Sequence, residues 1–223
     1  MATTKIAKGL VAAVLCGTLM WTACSTSWIN EAEQIIAALI PGMANLVTLV
    51  ATLQGKNVSA ADLQTVQSAG AQAGADLALM QSLIAQYQKA DAAAQPGLLN
   101  QIQAALTAVQ STLSGLLPAL HIKDASTQAK ITAVIGILFS EVESVAAIVP
   151  LVSGVAAPAM MAPGAKQVKA RERTPLTARE FVVSYNATMT AKTGNAQLDE
   201  ATNGMSIHSH GKVARWGSAG LLK

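Results

Sequence analysis

The chain of 223 residues is long enough for one well-packed core, and 52% of its residues are hydrophobic while 12% are charged. This composition, with an aromatic content of only 3%, favours close-packed helices over a disordered chain or a broad aromatic core. The net charge of +3 is small and its basic residues are scattered, so nucleic acid is not an expected partner.

The first 23 residues have the layout of an export signal. Lys5 and Lys8 precede an apolar run from Leu10 to Trp21, and small residues follow this run up to Cys24. The run has twelve residues, which is fewer than the roughly 20 that a membrane-spanning helix needs. We therefore predict that residues 1–23 direct export and are then removed.

The segment LMWTAC, residues 19–24, resembles the lipobox of bacterial lipoproteins. The resemblance implies cleavage before Cys24 and lipidation of its thiol, which would anchor the mature chain to a membrane. Ser25, in place of aspartate, implies the outer membrane. Trp21 departs from the aliphatic residue that is usual three places before the cysteine, so ordinary signal cleavage near residues 25–27 is the alternative.

Residues 24–150 are predicted to form an up-and-down, antiparallel four-helix bundle. Apolar side chains recur at alternating steps of three and four in four successive segments, which turns one face of each helix inward. Short polar or Pro/Gly connections separate the segments and favour antiparallel neighbours. The segments begin near Trp28, Ser59, Pro96 and Asp124, and they end near Gln54, Asp91, Pro118 and Pro150.

Local signals refine these helices. Ser59 and the residues up to Asp62 form an N-terminal cap pattern for the second helix. Pro41 is followed by Gly42 in the first helix, and we expect this pair to kink or break it. Gly70 falls in the core register of the second helix, which predicts a close approach by a neighbouring helix.

Outward positions of the second and third helices carry glutamine instead of Glu–Lys pairs. Surface ion pairs can therefore contribute little, and buried leucine and isoleucine side chains must supply the stability of the bundle. The glutamines expected to point outward are Gln64, Gln67, Gln72, Gln81, Gln101, Gln103 and Gln110.

The last third of the chain differs in composition. Residues 151–175 are rich in Pro, Gly and Ala and end in a basic run, which predicts a linker. Residues 176–223 form a basic extension. In it, Thr177 to Glu180 is a capping-box pattern before a short helix, and a small β-hairpin is predicted around Ser206 to Trp216. Phe181, Tyr185 and Met189 share one side of that helix, and we expect the bundle to cover them.

Charge is distributed unevenly between the two parts. Residues 25–150 carry eight acidic and four basic residues, whereas residues 151–223 carry four acidic and nine basic ones. The basic C-terminal region could therefore bind an anionic envelope surface, a protein partner or the acidic bundle itself.

His208 and His210 are the pair of residues that suggests a metal ligand set. Alternate residues of an extended strand point the same way, so the two imidazoles could share an ion. Two ligands do not complete a site, and His121 lies in a distant interhelical turn. An exposed histidine pair is the preferred interpretation, and we expect neither a resident metal nor another cofactor.

Two pairs of glutamates could suggest acid–base catalysis. Glu31 with Glu33, and Glu141 with Glu143, stand two residues apart on helices and therefore point in nearly opposite directions. We interpret them as solvated helix faces. No catalytic sequence motif accompanies them, so the chain is not expected to be an enzyme.

Insertion of helices into a membrane is the main rival to a bundle folded in water. Ile35 to Leu53 has no charged residue and is long enough to span a bilayer. However, Asn45, Thr48 and Thr52 form a polar stripe along this segment, which favours packing at a wet surface.

The sequence therefore favours an exported cell-envelope protein, lipid-anchored at Cys24 and facing the periplasm or the cell surface. Its expected role is that of a non-enzymatic scaffold or binding module. A membrane-active or pore-forming helical protein is the alternative, because the first helix is uncharged over much of its length and small residues line the helix surfaces.

Overall fold

A computed structural model describes residues 27–150 and 176–208, and within these ranges the regular secondary structure is α-helical. The expected all-α fold is therefore confirmed. The helices are α1 Ser27–Thr52, α2 Ala60–Tyr87, α3 Gln95–Ala119, α4 Ala125–Ile148, α5 Ala178–Thr190 and α6 Ala196–Ala201.

The first four helices form the predicted bundle. Each packs against the next along the chain, and α4 also packs against α1, which closes the ring of four. Helix α5 lies against both α1 and α4. Its apolar side chains belong to the same hydrophobic core as those of the bundle. The described residues 176–208 therefore pack as part of the bundle and do not form a core of their own.

Side-chain caps begin α2, α4 and α5. The caps of α2 and α5 were predicted from the sequence, and for α4 a start near Asp124 or Ser126 was predicted. The Ser59 hydroxyl accepts the Asp62 amide of α2, and the Asp62 carboxylate accepts the Ser59 amide in return. Asp124 caps α4. Thr177 and Glu180 form the same reciprocal pair at the start of α5. These caps satisfy amide groups that the first helical turn leaves without partners.

Helix α1 runs through Pro41 without interruption, so the predicted break is wrong, and a kink there stays a prediction. A proline removes one amide donor, and packing of the surrounding turns compensates for that loss. The next residue, Gly42, has no side chain, which allows α4 and α5 to pack closely against α1 at this point. A Cβ atom at Gly42 would lie 2.8 Å from Leu138 Cδ2 of α4 and 3.5 Å from Phe181 Cζ of α5. Three helices therefore meet at this glycine.

A second glycine brings α2 close to α1. A Cβ atom at Gly70 would lie 2.7 Å from Val47 Cγ2, whereas Gly74, one turn later, has nothing within 4 Å. The close approach predicted at the middle of α2 is confirmed.

The C-terminal region differs from its prediction. The described residues contain no strand, so the β-hairpin from Ser206 to Trp216 is not supported; residues 209–216 lie outside them. Instead, the Asn186 side chain accepts the Ile207 amide at 2.7 Å and donates to its carbonyl at 2.9 Å, which replaces a strand partner. The short helix α6, capped by Asn195, was not predicted.

Most of the glutamines expected at the surface are exposed or half-buried, but Gln110 is buried. The outward assignment is therefore wrong for Gln110, which directly follows Val109 of the buried α3 seam. Gln103 is half-buried and donates to the Pro150 carbonyl at 3.0 Å.

Candidate functional site

Two of the four residues singled out from the sequence for lipidation or metal binding fall within the described ranges. Cys24 and His210 lie outside the described residues. His208 is exposed at the end of the described chain, and His121 is exposed in the turn between α3 and α4. Across residues 27–150 and 176–208, no group of three metal-ligating side chains occurs together.

Helix α5 is held on the bundle by a buried apolar face. Phe181, Tyr185 and Met189 are fully buried, which confirms that the bundle covers this stripe. The Tyr185 hydroxyl donates to the Gly42 carbonyl of α1 at 3.4 Å, and burial raises the pKa of Tyr185 to about 12. Tyr185 is therefore a neutral donor inside the interface.

Polar contacts fix both ends of this C-terminal segment. Near its start, the Leu176 amide donates to Ser144 Oγ of α4 at 2.9 Å, and the Ala178 amide donates to Glu31 Oε1 of α1 at 3.2 Å. Near its end, the half-buried Asn45 of α1 donates to the Met205 carbonyl at 3.0 Å. Asn45 is thus part of an intramolecular contact, while Thr48 and Thr52 are exposed.

A buried lysine marks the far end of α5. Lys130 of α4 is only 5% exposed, and its Nζ donates to the Ala191 carbonyl at 2.8 Å. Burial lowers the pKa of Lys130, while the carboxylate of Asp199 acts in the opposite direction. The carbonyl at the end of α5 and the nearby acid compensate for burying this cation.

Glu141 of α4 is the most unusual polar residue in the described chain. It is 0% exposed, and neither carboxyl oxygen has a hydrogen-bond partner. Burial, followed by the charges of Glu31 and Glu180, raises the pKa of Glu141 to about 8. Glu141 is therefore neutral at neutral pH, because an ionised carboxylate would be unpaired in an apolar interior.

The interpretation of the glutamate pairs as solvated faces is wrong for Glu141. Its neighbour Glu143 is exposed, so this pair points in opposite directions as expected. In the other pair, Glu31 binds the start of α5, and Glu33 accepts a hydrogen bond from Gln88 Nε2 of the α2 C-cap at 3.0 Å. Neither pair converges on one point.

The burial of Glu141 was not predicted, because a glutamate between two apolar turns normally lies at the surface. One signal was available: Lys130 and Glu141 are eleven residues apart, which is close to three helical turns, so they share a face of α4. That shared face of α4 is buried because α5 packs against α4, and the spacing of the two residues alone does not indicate this contact.

Two shallow surface cavities lie at the same end of the molecule. One lies along the first turns of α5 and is lined by Leu176, Thr177, Arg179, Glu180, Val183 and Ser184. The other lies between the start of α1 and the end of α4 and is lined by Ser27, Trp28, Glu31, Ile148 and Pro150. Glu31 lines the second cavity, but the carboxyl oxygens of Glu141 are sealed from solvent.

Helices α1 and α4 are each long and apolar enough to cross a membrane. Length and composition alone are weak evidence, since the core helix of a protein folded in water passes the same test. These two helices pack against each other and bury their apolar seams within the bundle.

No protein-family model, curated protein or solved structure matches the chain.

Proposed function

We propose that this protein is exported, is anchored to the cell envelope by a lipid on Cys24, and acts there as a non-enzymatic scaffold or binding module. The observation that carries the proposal is the order of features at the N-terminus: two lysines, a short apolar run, two small residues and a cysteine. A helical bundle begins directly afterwards, at Ser27.

The short distance between Cys24 and α1 supports an anchor that holds the bundle close to the membrane. Two residues, Ser25 and Thr26, lie between Cys24 and Ser27, and the three Cα–Cα steps from Cys24 to Ser27 span about 11 Å at most. The end of the bundle that contains Ser27 would therefore face the lipid surface. By resemblance to bacterial lipoproteins, Ser25 in place of aspartate after the cysteine favours the outer membrane as that surface.

The position of the basic segment supports an anionic surface as partner. The chain leaves the bundle at Pro150, which lines the same cavity as Ser27, and it returns at Leu176, which binds Ser144. Residues 151–175 thus start and end near the proposed anchor, and they contain four basic residues and one acidic residue. Lipid headgroups or another anionic envelope polymer would attract this segment.

The intact mass of the protein from membrane and soluble fractions tests the anchor. We expect the membrane fraction to contain a chain that begins at Cys24 and carries acyl groups. Cys24→Ser should abolish the added mass and move the protein out of that fraction. Cys16→Ser is the matched control, because this second cysteine lies in the predicted signal and should leave processing intact. An unmodified mature chain that begins after Cys24 would refute the lipid anchor.

A membrane-active or pore-forming protein is the second candidate. The observation that favours it is that α1 and α4, the two helices long and apolar enough to span a bilayer, lie side by side. Dye-loaded vesicles separate the two candidates: release on adding the protein would support membrane activity. Intact vesicles beside a monodisperse protein would support the scaffold.

A further inference from the structure

Glu141 lies beneath the start of the C-terminal segment. It precedes Ser144 by three residues, so the two side chains share a face of α4. Ser144 accepts the Leu176 amide, and Glu31 of α1 accepts the Ala178 amide at the first residue of α5. Glu141 is fully buried next to these two contacts, and its carboxyl oxygens have no partner.

The charged groups that act on Glu141 would oppose its ionisation. From α1 and α5 these groups are the carboxylates of Glu31 and Glu180. Arg179 of α5 is exposed, and Tyr185 is a buried neutral donor. Helix α3 contains no titratable residue.

On α4 itself, Glu143 is exposed, and Lys130 lies about three turns away with its Nζ bound to the Ala191 carbonyl. Both are therefore poorly placed to compensate for a charge on Glu141.

We propose that α5, with the segment that follows it, is a pH-sensitive clasp: it closes on α1 and α4 while Glu141 is neutral, and it opens when Glu141 ionises. Opening admits water to the carboxylate, which satisfies a charge that the closed form leaves unpaired. Closing binds a proton, since the closed form raises the pKa of Glu141 from its ordinary 4.5 to about 8. The contribution of Glu141 to closure is therefore complete below pH 4.5, and it is lost as pH rises through 8.

The clasp has the structural properties of a separately opening unit. Helix α5 has thirteen residues and joins the bundle after residues 151–175, so it can leave without unwinding α1 to α4. Helix α5 itself is held by three buried side chains and a few hydrogen bonds. The segment that follows adds the buried Leu198 and Ile207 and the hydrogen bonds from Lys130 and Asn45. Short helices of this kind are marginal when they are not packed.

Hydrogen–deuterium exchange of the full chain between pH 6 and 8 tests the clasp. Glu141→Gln, which cannot ionise, is measured at each pH as the reference, so that the intrinsic pH dependence of exchange cancels. We expect amides of residues 178–190 to exchange faster in the natural chain relative to the variant, by about tenfold for each pH unit. Amides in the middle of α2 and α3 should show no such change.

A second variant guards against a misfolded glutamine substitution. Glu141→Met removes the charge with an apolar side chain of similar length, and it should also abolish the pH dependence in α5. Equal pH dependence in the natural chain and both variants would overturn the proposal. Equal loss of protection in α2, α3 and α5 would also overturn it, because the clasp would not then be a separate unit. This test does not depend on the lipid anchor.

Discussion

At the scale of single residues, Glu141 couples the stability of the fold to pH. A group whose pKa rises from 4.5 to about 8 on folding contributes its full stability below pH 4.5 and loses it as pH rises through 8. Each pKa unit corresponds to about 1.4 kcal/mol, so the free energy of unfolding should fall by up to about that amount for each pH unit in this window.

Glu141→Gln should remove this slope, whereas Glu143→Gln should keep it. Glu143 is two residues away on the exposed side of α4, so Glu143→Gln makes the same chemical substitution without touching the buried position. Urea unfolding of the three proteins at pH 5 and pH 8.5 measures the difference. A natural chain that is as stable at pH 8.5 as at pH 5 would contradict the assignment.

Glycine has opposite roles at two neighbouring positions of α2. Gly70→Ala should destabilise the protein by about 1–3 kcal/mol, because the new methyl group would meet Val47 Cγ2 at 2.7 Å. Gly74→Ala should stabilise it by about 0.5–1 kcal/mol, since nothing lies within 4 Å there and alanine favours a helix. Thermal melting of both variants is the measurement. Equal shifts of the same sign would show that α1 and α2 do not approach closely.

At the scale of elements, α5 depends on its buried face. Phe181→Ala should release α5 from the bundle and cost about 3–5 kcal/mol, because Phe181 is fully buried between α1 and α4. Val183 of the same helix is 61% exposed, so Val183→Ala should change stability by less than about 0.5 kcal/mol. Protease susceptibility at Arg179 and Lys192 reports the release. Similar susceptibility in both variants would contradict the packing of α5.

Elements could be predicted where the signal is local. The start of α2 follows from Ser59 and Asp62, and the starts of α4 and α5 follow from Asp124 and Thr177, because a cap needs only residues three positions apart. Helix α6 was missed because its six residues are too few to show a helical period among polar neighbours.

The burial of Glu141 could not be predicted in the same way. It depends on a contact between α4 and a helix that starts thirty-seven residues later in the chain. Periodicity indicates that a face is apolar, but it does not indicate which distant segment will cover a polar residue at its edge. The bundle could therefore be predicted from the sequence, whereas the buried position of Glu141 could not.

At the scale of the whole molecule, apolar burial must supply the stability. Helix α3 carries no charged residue. Within the described chain, the one contact between a basic and an acidic side chain within 4.0 Å joins the exposed His121 to the buried Asp62, and it is an ion pair only when His121 is protonated. Leu106→Ala should therefore cost about 2–5 kcal/mol, because Leu106 is only 3% exposed. Gln103→Ala removes a hydrogen bond of a half-buried amide and should cost about 1 kcal/mol. Similar losses on thermal melting would argue against the helical register.

The central claim is that the apolar seams of α1 and α4 are buried against other helices in water and not against lipid. Far-ultraviolet circular dichroism of the mature protein in detergent-free buffer, before and after adding lipid vesicles, tests it most directly. We predict a strongly helical spectrum in buffer that vesicles leave unchanged. A weakly helical spectrum that becomes helical only with vesicles would contradict the claim.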